Sequence, residues 1–80
     1  MQSFIITLTY EGKPIIFRFV AEEAYAACLY EVSALNSELF QPFLIAKRKD
    51  EWRIITEVPF SMRPLEQKLG VMIDAYLEGR

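Results

Sequence analysis

Two alternating runs flanking one short glycine turn constrain this chain most. Residues 4–10 place Phe4, Ile6, Leu8 and Tyr10 on one side and Ile5, Thr7 and Thr9 on the other. Residues 14–20 alternate again, with Ile15, Phe17 and Phe19 sharing a side. Glu11-Gly12 forms a two-residue turn between them, because glycine supplies the positive φ such a turn needs. That loop length sets Tyr10 opposite Lys13, Leu8 opposite Ile15, Ile6 opposite Phe17 and Phe4 opposite Phe19. Three of these rows are wholly apolar, and all share one face. A one-residue slip would scatter them over both faces. The expected unit is an antiparallel hairpin with one buried face.

Residues 21–36 carry a different period. Ala21, Ala24, Tyr25, Cys28, Leu29, Val32 and Leu35 recur at helical spacing. Glu22 and Glu23 suit the positive end of a helix dipole. The spacing predicts a helix over 21–36, with an unusually apolar reverse side of Ala26, Ala27, Tyr30 and Ala34. Asn36-Ser37 and Pro42 end it. Strands are expected at 43–48 and 51–58. A turn at Lys49-Asp50 pairs Lys47 with Trp52, Ile45 with Ile54 and Phe43 with Thr56. On the opposite face Arg48 meets Glu51, Ala46 meets Arg53 and Leu44 meets Ile55. Pro59 ends the second strand. Ser61 is expected to cap a last helix, with Pro64 in its first turn. Its stripe is Leu65, Leu69, Met72, Ile73, Tyr76 and Leu77, and Gly79 stops it. Gly70 weakens that helix by about 1 kcal/mol relative to alanine.

The expected fold is α+β in ββαββα order. Two hairpins make a four-stranded, mainly antiparallel sheet, and two helices pack on one of its faces. Residues 1–80 form one domain. At 9.3 kDa, the chain holds a single two-layer core that buries roughly 63% of the unfolded surface.

The chain has no histidine and one cysteine. That excludes an internal disulfide and a Cys/His zinc site. It also removes the commonest acid–base group at neutral pH. Cys28, on the apolar stripe, reads as a buried and inert thiol. Glu22 and Glu23 splay about 100° apart on a helix and share no site. The three glycines are scattered, so no loop cradles a phosphate. No enzymatic activity, metal or cofactor is expected.

The formal charge is −2, too small a field for a general nucleic-acid binder and no reason to expect attraction to an anionic membrane. The N-terminus lacks the pattern of a secretory signal. No apolar run approaches the roughly 20 residues of a membrane helix. A cytoplasmic setting is expected.

Two features call for a use. Lys47, Arg48, Lys49 and Arg53 flank Trp52 in sequence, and cations beside an aromatic ring suit a nucleic-acid contact, to which Arg18 would add a fifth cation. The alternative is a solvated hairpin tip whose charges discourage edge-to-edge pairing. Asp50 and Glu51 dilute the patch and favour that alternative. The second feature is surplus apolar surface. Ile5, Ile16, Leu44 and Ile55, with Arg18, occupy the reverse face of the expected sheet. Ala26, Ala27, Tyr30 and Ala34 occupy the reverse side of the expected helix. Together they exceed what a monomer usually leaves open. The expected function is a protein-interaction domain that forms a homo-oligomer, a dimer by preference, or binds another protein. Substitution of Tyr30 is then expected to weaken assembly.

Overall fold

The computed structural model describes residues 3–22, 29–38 and 41–79. The strands are β1 (Ser3–Tyr10), β2 (Lys13–Ala21), β3 (Leu29–Ala34), β4 (Phe43–Arg48) and β5 (Glu51–Ile54). A 3-10 turn at Phe60–Met62 leads into the helix α1 (Arg63–Glu78). The strands lie side by side in chain order, and every neighbouring pair is antiparallel. This meander curls around α1, which touches both edge strands. Tyr76 stacks on Phe4 of β1 with ring centroids 4.0 Å apart, and Gly70 packs on Trp52 of β5.

Both hairpins have the expected register. Tyr10 faces Lys13, and Phe4 faces Phe19; Arg48 faces Glu51, and Ile45 faces Ile54. In the first turn Glu11 and Gly12 adopt φ of 51° and 79°. The second reaches the same conformation without glycine, with Lys49 and Asp50 at 51° and 67°. Left-handed backbone costs about 1–2 kcal/mol per non-glycine residue, and the paired strands on either side offset it. β5 stops at Ile54, short of the expected 58. The Ile55 N–H still donates to the Leu44 carbonyl at 2.9 Å. Beyond it the Thr56 hydroxyl accepts from the Leu44 N–H at 3.2 Å.

The helix expected over 21–36 is overturned. β2 runs on to Ala21, and Leu29–Ala34 is the central strand. Among the described residues the fold is therefore five strands and one α-helix, not the four-stranded ββαββα arrangement with two. Residues 29–34 satisfy both periods: Leu29 and Val32 continue the helical stripe, while Tyr30, Val32 and Ala34 also alternate. Tertiary pairing decides between them. As a strand this segment hydrogen-bonds both β2 and β4, and it buries Tyr30 beside Val32. A helix would turn those two side chains apart and leave one edge of each neighbouring strand unpaired. Asn36 extends the pairing past the strand end. Its Oδ1 accepts from the Ile16 N–H, and its Nδ2 donates to the Pro14 carbonyl, both at 2.9 Å. Ala26, Ala27 and Cys28, placed on the expected helix, lie outside the described residues.

The last helix matches expectation from Pro64 to its stop at Gly79, but Ser61 does not cap it through its side chain. Instead Ser61 offers its carbonyl to the Tyr10 hydroxyl at 3.1 Å, tying the first hairpin to the start of α1. Under the helix runs a row of rings. Phe4 stacks on Phe19 at 5.0 Å, and Tyr30 stands edge-on to Phe4 at 5.4 Å and tilted to Trp52 at 5.8 Å. Leu65, Leu69 and Ile73 of α1 are buried against this layer.

Gly70 is required by that packing. A Cβ added there would sit 2.8 Å from Trp52 Cβ and 3.0 Å from Cδ1. Gly70→Ala gains about 1 kcal/mol of helix propensity, but overpacking costs typically 1–3 kcal/mol. The steric term wins because the nearest atom is the Cβ, which cannot swing away by rotation of the ring. The expected result is a lower urea midpoint than wild type, opposite to the sign that propensity alone predicts.

Candidate functional site

On the helix side, one polar cluster joins α1 to the second hairpin. The Trp52 Nε1–H donates to Asp74 Oδ1 at 2.9 Å. Lys47 Nζ reaches the same oxygen at 3.3 Å and lies 5.9 Å from the centre of the Trp52 ring. The Trp52 hydrogen bond holds the Asp74 carboxyl below the ordinary aspartate range; burial opposes it, and the hydrogen bond and charge of Lys47 add smaller lowering effects. A carboxyl lowered in the folded state contributes stability above its unfolded pKa. That contribution is lost as pH falls through the lowered folded value. Asp74→Asn keeps an oxygen for Trp52 but cannot titrate. The expected outcome is a flatter fall of melting temperature between about pH 5 and pH 2 than in wild type.

Glu66 makes a second lock. Its Oε2 accepts from the Ile54 N–H at 2.7 Å. The guanidinium groups of Arg63 and Arg53 approach its carboxylate at 3.4 and 3.7 Å. Arg53 also binds Glu51 at 2.8 Å. These acids hold elements together. Among the described residues, no group of three or more acidic or cysteine side chains is placed to bind a metal ion.

The five basic residues do not all share a surface: Arg18, Arg48 and Arg53 lie on the outer face and Lys47 on the helix side. Lys47 faces inward to Asp74, and Arg53 is engaged by Glu51 and Glu66. Arg48 and Lys49 are exposed at the hairpin tip. Arg18 stands on the outer face of β2, with β3 between it and β4.

The apolar candidates separate into two sets. Ile5, Ile16, Leu44 and Ile55 do lie together with Arg18 on the outer face, away from α1. One row across the strands reads Ile5, Arg18, Ser33, and another reads Val20, Glu31, Leu44. Ile5 is 58% exposed and Ile55 41%. Leu35, 53% exposed, joins this face beside Ile16, whose carbonyl accepts its N–H at 2.8 Å. Leu35 and Glu31 were missed from sequence because they fell in the expected helix; the alternation through 29–34 is the signal that places them. Tyr30 and Ala34 do not belong to this surface. Both turn to the helix side, where Tyr30 is 5% exposed and part of the core.

The two sheet edges differ. β5 has four residues, and its outward Ile54 N–H is taken by Glu66. β1 has eight residues and no charge. The two-residue turn makes Tyr10–Lys13 a hydrogen-bonded pair, so alternate residues back along β1 face away from β2. Ile16 confirms this phase, since its N–H and carbonyl both point toward the β3 side. Its partner Thr7 therefore turns its own N–H and carbonyl to the open edge, as do Ser3, Ile5 and Thr9. Beside this edge lies an open groove of about 570 Å³ lined by Leu8, Pro64, Gln67, Lys68, Val71 and Met72. No helix among the described residues is long and apolar enough to cross a membrane. Comparison of the chain with protein families, with curated proteins and with solved structures found no match.

Proposed function

We propose that this chain is a non-catalytic protein-interaction domain that self-associates as a homodimer in the cytoplasm. The observation that carries the reading is the apolar character of the outer face, where Ile5, Leu35 and Ile55 are exposed beside half-buried Ile16 and Leu44. Such surface on a small domain marks an interaction site, and a two-fold dimer is the commonest way to cover it. A second copy also suits the charges of this face, since Arg18 and Glu31 on adjoining strands supply one cation and one anion. The single cysteine suits a reducing compartment. The test is the solution mass, by light scattering behind size exclusion over a range of concentrations. Twice the chain mass supports the reading. The mass of one chain at every concentration overturns it.

A further inference from the structure

We infer that the dimer forms through the β1 edge, two copies pairing antiparallel about a two-fold axis at Ile6. The inference rests on the self-association reading but moves the contact to the β1 rim of the outer face, where it covers Ile5 and leaves Ile16, Leu35, Leu44 and Ile55 open. A sheet edge is a row of free backbone donors and acceptors, and folded proteins blunt such rows with charge, proline, short strands or cover. The β5 edge has these devices: four residues, Glu51 and Arg53 on them, and Glu66 on its outward N–H. The β1 edge has none. Ser3, Ile5, Thr7 and Thr9 carry no charge, and among the described residues no strand or side chain meets their outward groups.

The occupant is a second copy because this edge is complementary to itself. An axis at Ile6 sets Ser3 against the partner's Thr9, and Ile5 against the partner's Thr7. Every outward N–H and carbonyl of the strand then finds a partner, and no like charges meet. Outer-face side chains meet across the seam as well. Ile5, the most exposed large hydrophobe on any described strand, lies against the partner's Thr7 and diagonal to the partner's Ile5, within reach of cross-strand packing. The result is one continuous sheet whose outer face is doubled, with strand addition as the mode of recognition.

The test compares wild type with Thr7→Pro and Thr7→Lys. Proline is tolerated at an edge position whose N–H faces away from the ladder, so Thr7→Pro removes an intermolecular donor and no β1–β2 bond. Lysine places a charge at the seam and keeps the backbone. The expected result is dimeric wild type and monomeric variants with unchanged far-UV circular dichroism. In wild type the amides of Ile5, Thr7 and Thr9 should exchange hydrogen at least about tenfold more slowly at high than at low protein concentration, since only the dimer protects them. Should Thr7→Pro fail to fold, Thr7→Lys and the wild-type exchange decide. A dimer that persists in Thr7→Lys, with those amides exchanging fast, overturns the edge contact and leaves self-association standing. A monomeric wild type overturns both.

Discussion

Trp52→Ala is expected to remove a large share, on the order of half, of the stability of this domain. The side chain is buried, sets its Cβ and ring Cδ1 against Gly70 and tilts its ring onto Tyr30. Its Nε1–H holds Asp74. Truncating a buried tryptophan costs about 3–5 kcal/mol through lost burial and the cavity left behind. A chain of 80 residues has only about 4–12 kcal/mol in total. The removal also leaves Asp74 with Lys47 alone, so its carboxyl should move back toward the ordinary aspartate range. Equilibrium urea unfolding and NMR titration of Asp74 check the two effects. Trp52→Phe separates them: it keeps an aromatic ring over Gly70 and loses the donor, at about 1 kcal/mol. A Trp52→Ala midpoint close to that of wild type would mean that α1 does not depend on β5 for its seat.

Tyr30→Ala is the second large effect, and its kind matters as much as its size. On the reverse side of a helix, Tyr30 would have been an interface residue, and its loss would have lowered the mass with little change in melting temperature. In the central strand its ring stands edge-on to Phe4 and Phe19 and beside Trp52. The expected cost is therefore that of a core aromatic, about 3–5 kcal/mol. For a domain of this size that lowers the melting temperature by on the order of 15 °C or more. Differential scanning calorimetry and light scattering on one sample distinguish the outcomes. An unchanged melting temperature with a halved mass would return Tyr30 to the interface.

Both hairpins were legible because their information is local. In the first, turn length, alternation and glycine all agree on one register, and the wrong register would expose a row of aromatic residues. The second turn offers no glycine, yet its register follows from the same alternation, and Lys49 and Asp50 accept the left-handed backbone that the pairing imposes. The final helix was legible from its stripe. The outer apolar face was legible in part: Ile5, Ile16, Leu44 and Ile55 came from the two hairpins, while Leu35 and Glu31 needed β3 in place.

The central strand was not legible, because residues 29–34 fit two periods and no local signal separates them. What separates them is the pair of strand edges that β2 and β4 present. Hydrogen bonds to both, and burial of Tyr30 and Val32 between them, exist only once the rest of the sheet is assembled. Gly70 makes the same point from the helix: propensity marks it as a weakness, and only the position of Trp52 shows it as a close contact. The chain alone thus dictates the turns, the registers within each hairpin and the last helix, all set by residues close in sequence. The number of strands, the place of Tyr30 and the difference between a covered β5 edge and an open β1 edge were decided in three dimensions. Each depends on backbone groups and side chains that meet only across long sequence separations.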